Sequence, residues 1–247
     1  MIRFDNVTKI YHDTVYAVRD VSLSIDKGDL CFIVGPSGAG KTTLLKLIFG
    51  LEHPSRGTVS LFGRSLEGLG ASSIQAIRRH TGFVFQDFRL IDDWTVYHNA
   101  AIILEILGKP AIYVRSRVWR MLKWVGLQHK VYERARNLSG GERQRLALVR
   151  AIIHTPDILL ADEPVGSLDE SMARYMMNMF LKLNKKGTTI VIASHRQDPL
   201  MDYAKVIRME RGGRLKGDLI FAIGTESIKI STVNWRRLRR RQWKQPR

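Results

Sequence analysis

The segment Gly35–Thr42 constrains the fold more than any other part of the sequence. It reads Gly-Pro-Ser-Gly-Ala-Gly-Lys-Thr and connects the apolar run Leu30–Val34 to a segment with leucines at helical spacing. Glycines allow positive φ and let backbone N–H groups approach an anion closely, and the start of a helix adds partial positive charge. Lys41 adds a full charge and Thr42 a hydroxyl for Mg²⁺, so this strand–loop–helix unit predicts a phosphate-binding site. The residues predicted to contact the phosphates are Gly35, Pro36, Ser37, Gly38, Ala39, Gly40, Lys41, Thr42 and Thr43.

The charge of the chain is strongly basic and unevenly distributed. Its 247 residues include 40 Lys and Arg against 23 Asp and Glu, a formal net charge of +17. Residues 235–247 hold seven of the basic residues and no acid, so the rest of the chain carries 33 bases against 23 acids, a net charge of +10. Such an excess indicates an anionic partner, and nucleic acid, a membrane surface and a phosphorylated ligand all fit it. The single cysteine, Cys31, excludes a disulfide framework and any zinc site with several cysteines.

Apolar patterning predicts an α/β protein. Short, almost wholly apolar runs at Leu30–Val34, Ile158–Ala161 and Thr188–Ala193 are typical of strands that are buried on both faces of a parallel sheet. A helical pattern separates the first part of the sheet from the second, which predicts a helical insertion at about 87–154. Cys31 lies inside the first run and is expected to be a buried small hydrophobe. No apolar run approaches the length of a transmembrane helix, and the N-terminus lacks the apolar region of a signal peptide.

Two acids, Asp162 and Glu163, directly follow one of the predicted buried strands. Ligands gather at the carboxyl ends of parallel strands, where the phosphate loop also begins. Asp162 is placed to hold Mg²⁺, directly or through water, and Glu163 to orient or deprotonate a water that attacks a phosphate. An Asp-Glu pair by itself more often starts a solvated loop, so this interpretation depends on the phosphate loop.

A third motif, Leu138–Glu142, reads Leu-Ser-Gly-Gly-Glu, and its Ser-x-x-Glu pattern also predicts a capping box at a helix start. Together with the phosphate loop and the two acids, in this order, it resembles the signature motif of ATP-binding cassette (ABC) ATPases. The resemblance covers about residues 1–220. It implies a P-loop NTPase of the ABC-ATPase fold, with a mixed core sheet, a small antiparallel β subdomain and a helical subdomain, and ATP and Mg²⁺ as cofactors. Residues 1–225 would form the nucleotide-binding domain and residues 226–247 a basic C-terminal tail.

The family resemblance implies a divided nucleotide site. Ser139, Gly140 and Gly141 would contact the γ-phosphate of ATP held by a second copy, so two cassettes would meet head to tail as a homodimer. Asp169 resembles a residue of the loop that crosses this dimer interface.

Three more residues acquire roles from the same resemblance. Gln86 resembles the glutamine that joins Mg²⁺ and faces the transport partner, and His195 resembles the histidine that contacts the γ-phosphate beside the catalytic Glu163. Tyr11 lies where the family places an aromatic ring under adenine, although Tyr16 is close by in the sequence.

Within the ABC ATPases, the segment 87–99 after Gln86, together with Met1–Phe4 and Leu44–Ile48, is most similar to the FtsE family of bacterial cell-division ATPases. That resemblance implies a peripheral protein at the cytoplasmic face of the inner membrane, at the division septum, with an FtsX-like integral membrane partner and control of septal cell-wall hydrolases. ATPase subunits of lipoprotein-release or macrolide-export systems remain the alternative. A soluble cassette that binds nucleic acid is less favoured, because such proteins usually carry long insertions or two cassettes in one chain.

The basic tail at 235–247 has three interpretations. Tryptophans and a leucine interleave with its arginines, which fits contact with anionic lipid at a membrane surface. Tryptophan also stacks on nucleic-acid bases, so contact with RNA stays open. Blocks of like charge repel each other, however, and a solvated, disordered tail fits the sequence equally well.

Overall fold

The structure is a computed structural model that describes residues 1–196, 198–216 and 220–221. In chain order its strands are β1 (Ile2–Tyr11), β2 (Val15–Ile25), β3 (Leu30–Val34), β4 (Arg56–Leu61), β5 (Arg64–Ser65), β6 (Thr81–Val84), β7 (Ile158–Asp162), β8 (Thr189–Ser194), β9 (Lys205–Arg208) and β10 (Ile220–Phe221). Its α-helices are α1 (Lys41–Ile48), α2 (Ala71–Arg78), α3 (Val96–Ile106), α4 (Ala111–Trp124), α5 (Gly140–Ile152) and α6 (Glu170–Asn184). The predicted tail at 226–247 lies outside the described residues.

The larger sheet has the strand order β10-β9-β3-β8-β7-β6. Strands β9, β3, β8, β7 and β6 run parallel to one another, and β10 pairs antiparallel to β9 at one edge. Every residue of β7 and β8 is buried, as their apolar sequences predicted. The mixed core sheet expected from the family resemblance is thereby confirmed.

The smaller sheet is antiparallel and has the strand order β2-β1-β4-β5. Burial alternates along the second half of β2, where Val21, Leu23 and Ile25 point inward and the residues between them are exposed. Register shifts interrupt the pairing of β1 with β2 after Phe4 and again after Val7. This sheet is the small antiparallel β subdomain that the resemblance implied.

Helices α3, α4 and α5 all lie between β6 and β7 in the chain. The side chain of Thr95 caps α3 by accepting a hydrogen bond from the backbone N–H of His98. Glycines with positive φ, Gly108 and Gly126, follow α3 and α4. Among the helices of the described residues, none combines the length and the apolar character that crossing a membrane requires.

The larger sheet separates two hydrophobic cores, and the side chains of β3 alternate between them. Leu30 and Phe32 join the core formed with α3, α4, α5 and α6. Cys31 and Ile33 join the core formed with α1 and the antiparallel sheet. Cys31 is fully buried, as predicted, and burial raises the pKa of its thiol to about 12.

Candidate functional site

The strand register of the parallel sheet brings the predicted site residues to one edge. Val34 pairs with Ser194, and Ala193 pairs with Asp162, so the segments that follow β3, β8 and β7 leave the sheet at the same level. Val84 pairs with Ala161, which brings the end of β6 to the same edge. The predicted residues at this carboxyl edge are the loop 35–42, Gln86, Asp162, Glu163 and His195.

The phosphate loop is built so closely against its surroundings that two of its glycines have no room for a side chain. Gly40 has φ +93°, and a Cβ added there would lie 1.8 Å from the carbonyl oxygen of Ala17. A Cβ on Gly35 would lie 2.5 Å from the carbonyl oxygen of Met209. Gly38 also has positive φ but nothing lies within 4 Å of its Cβ position. No side chain caps the start of α1, which leaves its first N–H groups for an anion.

Lys41 is buried at the base of this loop, with 6% of the residue exposed. Its ammonium group donates hydrogen bonds to the carbonyl oxygens of Gly35 at 2.9 Å and Pro36 at 3.1 Å. Its Nζ also lies 3.6 Å from Oε1 of Glu163. The lysine charge is therefore held between the loop backbone and the acid that follows β7.

Asp162 and Thr42 supply oxygen atoms that fit Mg²⁺. Asp162 is 3% exposed, and its Oδ1 is buried without a hydrogen-bond partner. Burial raises the pKa of Asp162, and a hydrogen bond with the Thr42 hydroxyl opposes that shift. A carboxylate oxygen and a hydroxyl suit Mg²⁺, which completes its shell with phosphate oxygens and water. Within the described part of the chain, no cluster of three or more His, Cys, Asp or Glu that could hold a metal occurs.

Glu163 connects the acid pair to His195. Its Oε2 lies 2.9 Å from Nδ1 of His195 and 3.4 Å from the backbone nitrogen of the same residue. The backbone of Glu163 is in the left-handed region at φ +48°, a conformation that non-glycine residues rarely adopt and that clusters at functional sites. Lys41, Glu163 and His195 thus form one connected row of charged and titratable groups.

Comparison with known proteins identifies this arrangement. A model of the ABC transporter family matches residues 18–166. The chain belongs to the ABC transporter family. It is an ABC-type ATPase with a mixed α/β cassette fold that binds ATP.

Its similar relatives include proteins of more than one biological role. The cell division ATP-binding protein FtsE of Bacillus subtilis is 38% identical over 213 residues, which cover 86% of this chain and 93% of that protein. The methionine import ATP-binding protein MetN 2 of Bacillus anthracis is 35% identical over 240 residues, which cover 95% of this chain and 71% of that protein. The dimeric structure of the bacterial ABC transporter cassette MJ0796 has a TM-score of 0.83 at 32% identity and covers 91% of this chain and 100% of its own.

The signature motif of the cassette forms the predicted capping box at the start of α5. Ser139 and Glu142 exchange hydrogen bonds between side chain and backbone, and the two side chains also contact each other at 2.9 Å. Lys130 adds an ion pair to Glu142 at 2.9 Å. Burial alone would raise the pKa of Glu142, but the hydrogen bonds from Lys130 and Ser139 outweigh it and lower the pKa to about 2.

Asp169 caps the start of α6 beside the signature motif. Its carboxylate accepts hydrogen bonds from the backbone N–H groups of Ser171 at 2.9 Å and Met172 at 3.0 Å. The Cβ position of Gly141 lies 3.7 Å from side-chain atoms of Leu168 and Met172. The signature motif and the Asp169 loop therefore share one surface of the cassette, while Gly140 has open space around it.

Tyr11 lies at the end of β1, next to α1. Its hydroxyl hydrogen-bonds the side chain of Thr43, and Lys9 lies over its ring at 5.0 Å from the centroid. Burial raises the pKa of Tyr11, against the effect of the Thr43 hydrogen bond. Tyr16 has a different neighbour, Arg19, which lies over its ring at 4.5 Å from the centroid.

Sequence reasoning missed the residues that hold the site from outside its motifs. Lys130, which pairs with Glu142, lies in a connecting segment, and nothing in its sequence context marks it. Lys9 and Glu52 form an ion pair of 2.9 Å at the edge of Tyr11. Each of these contacts joins residues from different elements, and a residue pattern along the chain carries no signal for them.

Gln86, predicted to join Mg²⁺, lies two residues after the end of β6 and is exposed.

Proposed function

We propose that this cassette is the ATPase subunit of an FtsE-type membrane system, in which ATP binding and hydrolysis change the shape of an integral membrane partner. The observation that carries the proposal is the convergence of Lys41, Asp162, Glu163 and His195 at the carboxyl edge of one sheet. The similarity to FtsE of Bacillus subtilis over 86% of the chain supports the cell-division role. The cassette would then act at the cytoplasmic face of the inner membrane, at the septum.

The chemistry of the proposed site follows from its geometry. Lys41 and the N–H groups at the start of α1 bind the phosphates, and Tyr11 stacks under the adenine. Thr42, Asp162 and Gln86 would hold Mg²⁺, which would supply positive charge against the outer phosphates. Glu163 accepts a proton from the attacking water at a carboxylate oxygen.

His195 holds Glu163 in position through the 2.9 Å contact with Oε2. Because Oε1 faces Lys41 and Oε2 faces His195, both oxygens of the carboxylate have a fixed direction. Because the base is already oriented, less free energy is needed to position it for each turnover.

Dimerisation head to tail would complete the site with Ser139, Gly140, Gly141 and Asp169 of a second copy. The dimeric solved structure of a 32% identical cassette supports this part of the proposal. A mixing experiment tests it with two variants: Ser139→Arg, which blocks the signature motif, and Lys41→Ala, which removes the phosphate-loop charge. Each variant alone should be nearly inactive, because every site of its dimer has one damaged half.

Mixed dimers of the two variants would hold one site with both halves intact. ATPase activity should therefore return on mixing, to at most about one quarter of the parent, because half of randomly formed dimers are mixed and each has one intact site. Activity that stays at the sum of the two separate variants would refute a site shared between copies.

A groove next to Gln86 supports docking of a membrane partner. It has a volume of about 500 Å³, and Phe85 and Arg89 on either side of Gln86 help to line it. Apolar residues of α3 line it too, including Ile103 and the exposed Ile106. An apolar groove with arginines suits an amphipathic helix from the cytoplasmic side of a membrane protein.

Copurification from native membranes tests the partner. The tagged full chain is expressed in its native host cells and extracted in mild detergent. The membrane protein that copurifies with it is identified by mass spectrometry. An FtsX-type protein is expected. A methionine permease would instead support the role of the MetN relatives. A lipoprotein-release permease would support the alternative from the sequence analysis, an ATPase subunit of a lipoprotein-release system. Ile106→Glu should abolish the copurification, whereas Ile112→Glu, at an exposed isoleucine outside the groove, should not. Retention of the partner by both variants would refute docking in this groove.

A further inference from the structure

A second cavity of about 610 Å³ lies at the opposite end of the parallel sheet from the phosphate loop. Asp157 and Thr188, which directly precede β7 and β8, line it, and so does Lys27, shortly before β3. The strands between the two ends have five or six residues, so the cavity lies about 16–20 Å from the ATP site along the sheet. It is therefore a separate site, and a ligand bound there is independent of the proposed cell-division role.

Four cations surround the second cavity. They are Lys27, Arg117, Arg120 and Lys186. Asp157 is the acid among its lining residues, and Nδ1 of His80 lies 2.9 Å from its carboxylate. In the described part of the chain, none of the four cations forms an ion pair with a carboxylate.

Lys27, Arg120 and Lys186 are exposed, and Arg117 is the half-buried member of the four. Its Nε donates a hydrogen bond to the carbonyl oxygen of Ile153 at 3.0 Å, which fixes the guanidinium beside the cavity. Burial lowers the pKa of Arg117, Tyr113 opposes that shift, and the nearby charge of Arg120 adds to it. Arg117 and Arg120 therefore lie close enough to repel each other, and an anion bound beside them would relieve that repulsion.

The floor of the second cavity is apolar. Met121 and Ile152 are buried, and the half-buried Trp124 packs against the core with part of its surface left for the cavity. Leu183 of α6 and Pro156 complete this surface. Its volume falls within the range of about 300–1,000 Å³ that is usual for small-molecule sites, and an aromatic wall with a few charged groups is their usual lining.

We propose that this second cavity binds a small organic anion, with a flat or apolar body against Trp124 and a carboxylate, phosphate or sulfonate group among Lys27, Arg117, Arg120 and Lys186. The apolar floor selects against inorganic anions, which bury no apolar surface. The cations select against neutral hydrocarbons, which leave the repulsion between Arg117 and Arg120 in place. The ligand class is thus defined by two requirements, an apolar body and an anionic group in the same molecule.

Fluorescence titration of the full chain with 8-anilinonaphthalene-1-sulfonate tests the proposal, because this probe combines aromatic rings with one sulfonate. Saturating ADP and Mg²⁺ occupy the phosphate loop during the titration. N-phenyl-1-naphthylamine, which has the same rings and no charge, is the matched neutral probe. The sulfonate probe should bind at least about tenfold more tightly than the neutral probe, since a charged hydrogen bond is worth roughly that factor.

Charge reversal on the cavity gives the second arm of the test. The double variant Lys27→Glu with Arg120→Glu should weaken binding of the sulfonate probe by at least about tenfold. The control variant, Arg115→Glu with Lys123→Glu, changes the net charge of the chain by the same amount outside the cavity, and should bind the probe as the parent does. Equal binding by both double variants, or equal binding of the charged and neutral probes, would overturn the proposal. Thermal melting checks that each variant folds, and Arg120→Gln alone replaces the cavity variant if that one does not.

Discussion

Replacement of Glu163 by glutamine tests the proposed catalytic base with almost no change of shape. The amide of Glu163→Gln has the size of the carboxylate and can keep a hydrogen bond to His195 at the observed 2.9 Å. It cannot accept a proton from water at neutral pH, so turnover loses general-base catalysis. That contribution is typically about 10²–10⁴-fold, or roughly 2.7–5.4 kcal/mol of activation free energy. We expect the turnover number of ATP hydrolysis to fall by at least about 100-fold.

Folding and ATP binding should survive the same change. Lys41 is buried and loses an ion pair of 3.6 Å, but it keeps its hydrogen bonds to Gly35 and Pro36, so the free energy of unfolding should fall by about 1–3 kcal/mol. The carboxylate also repels the phosphates, and its neutralisation should leave the dissociation constant for ATP unchanged or lower it.

Phosphate release in a coupled assay gives the turnover number, and fluorescence titration with ATP gives the dissociation constant. Glu170→Gln is the matched control, because Glu170 is an exposed acid whose ion pair with Arg174 lies on the surface of α6. A turnover number of Glu163→Gln within about threefold of the parent would remove Glu163 from the role of base. Loss of ATP binding in the variant would show instead that Glu163 maintains the structure of the phosphate loop.

Three more predictions concern the site and its supports. Gly40→Ala should lower the free energy of unfolding by about 3 kcal/mol or more, because the new Cβ meets the Ala17 carbonyl. Gly38→Ala, with open space at its Cβ, should lower it by about 1 kcal/mol. Equal losses for the two variants in urea unfolding would contradict the close approach at Gly40. The pKa of Glu142 is lowered to about 2, so the stability that Glu142 adds is complete above its unfolded pKa near 4.5 and disappears as the pH falls through 2. Urea unfolding of Glu142→Gln should accordingly show a deficit at pH 7 that shrinks between pH 4.5 and 2, and a constant deficit would refute the assignment. The thiol of Cys31, with a pKa raised to about 12 by burial, should react with iodoacetamide only after unfolding, and rapid reaction of the native chain would contradict its burial.

The sequence predicted the parallel part of the fold better than its edges. Strands β3, β7 and β8 are short apolar runs, and burial on both faces imposes that composition. Strand β9, Lys205–Arg208, has a charged residue at each end and escaped prediction. Its Lys205 is nonetheless buried and reaches the backbone carbonyl of Ser24 in β2, a partner 181 residues away that no local pattern reveals.

The candidate site was predictable because its motifs are local and its geometry follows from the sheet. Once Gly35 and His195 each follow a parallel strand and Asp162 ends another, pairing alone brings them to one edge. The contacts made across the site were not predictable in the same way. The φ of +48° at Glu163 and the distance of 2.9 Å to His195 depend on how two loops pack, which motif spacing leaves undetermined.

The two halves of the proposed ATP site differ in how much of their structure one copy supplies. Lys41, after β3, and Asp162 and Glu163, at the end of β7, are fixed by two strands of one buried sheet that flank β8, so their positions are set by the folding of a single chain. Ser139 begins a helix of the insertion, and its hydroxyl is within 2.9 Å of the Glu142 carboxylate. To reach a phosphate on another copy, this hydroxyl must exchange that contact for one to the nucleotide, while the capping bonds to the backbone keep the helix start in place. The exchange replaces one charge-assisted hydrogen bond by another and so costs little. In the proposed head-to-tail dimer, such a cassette would hold its phosphate loop ready before the two copies meet and would leave only the last contacts to the second copy.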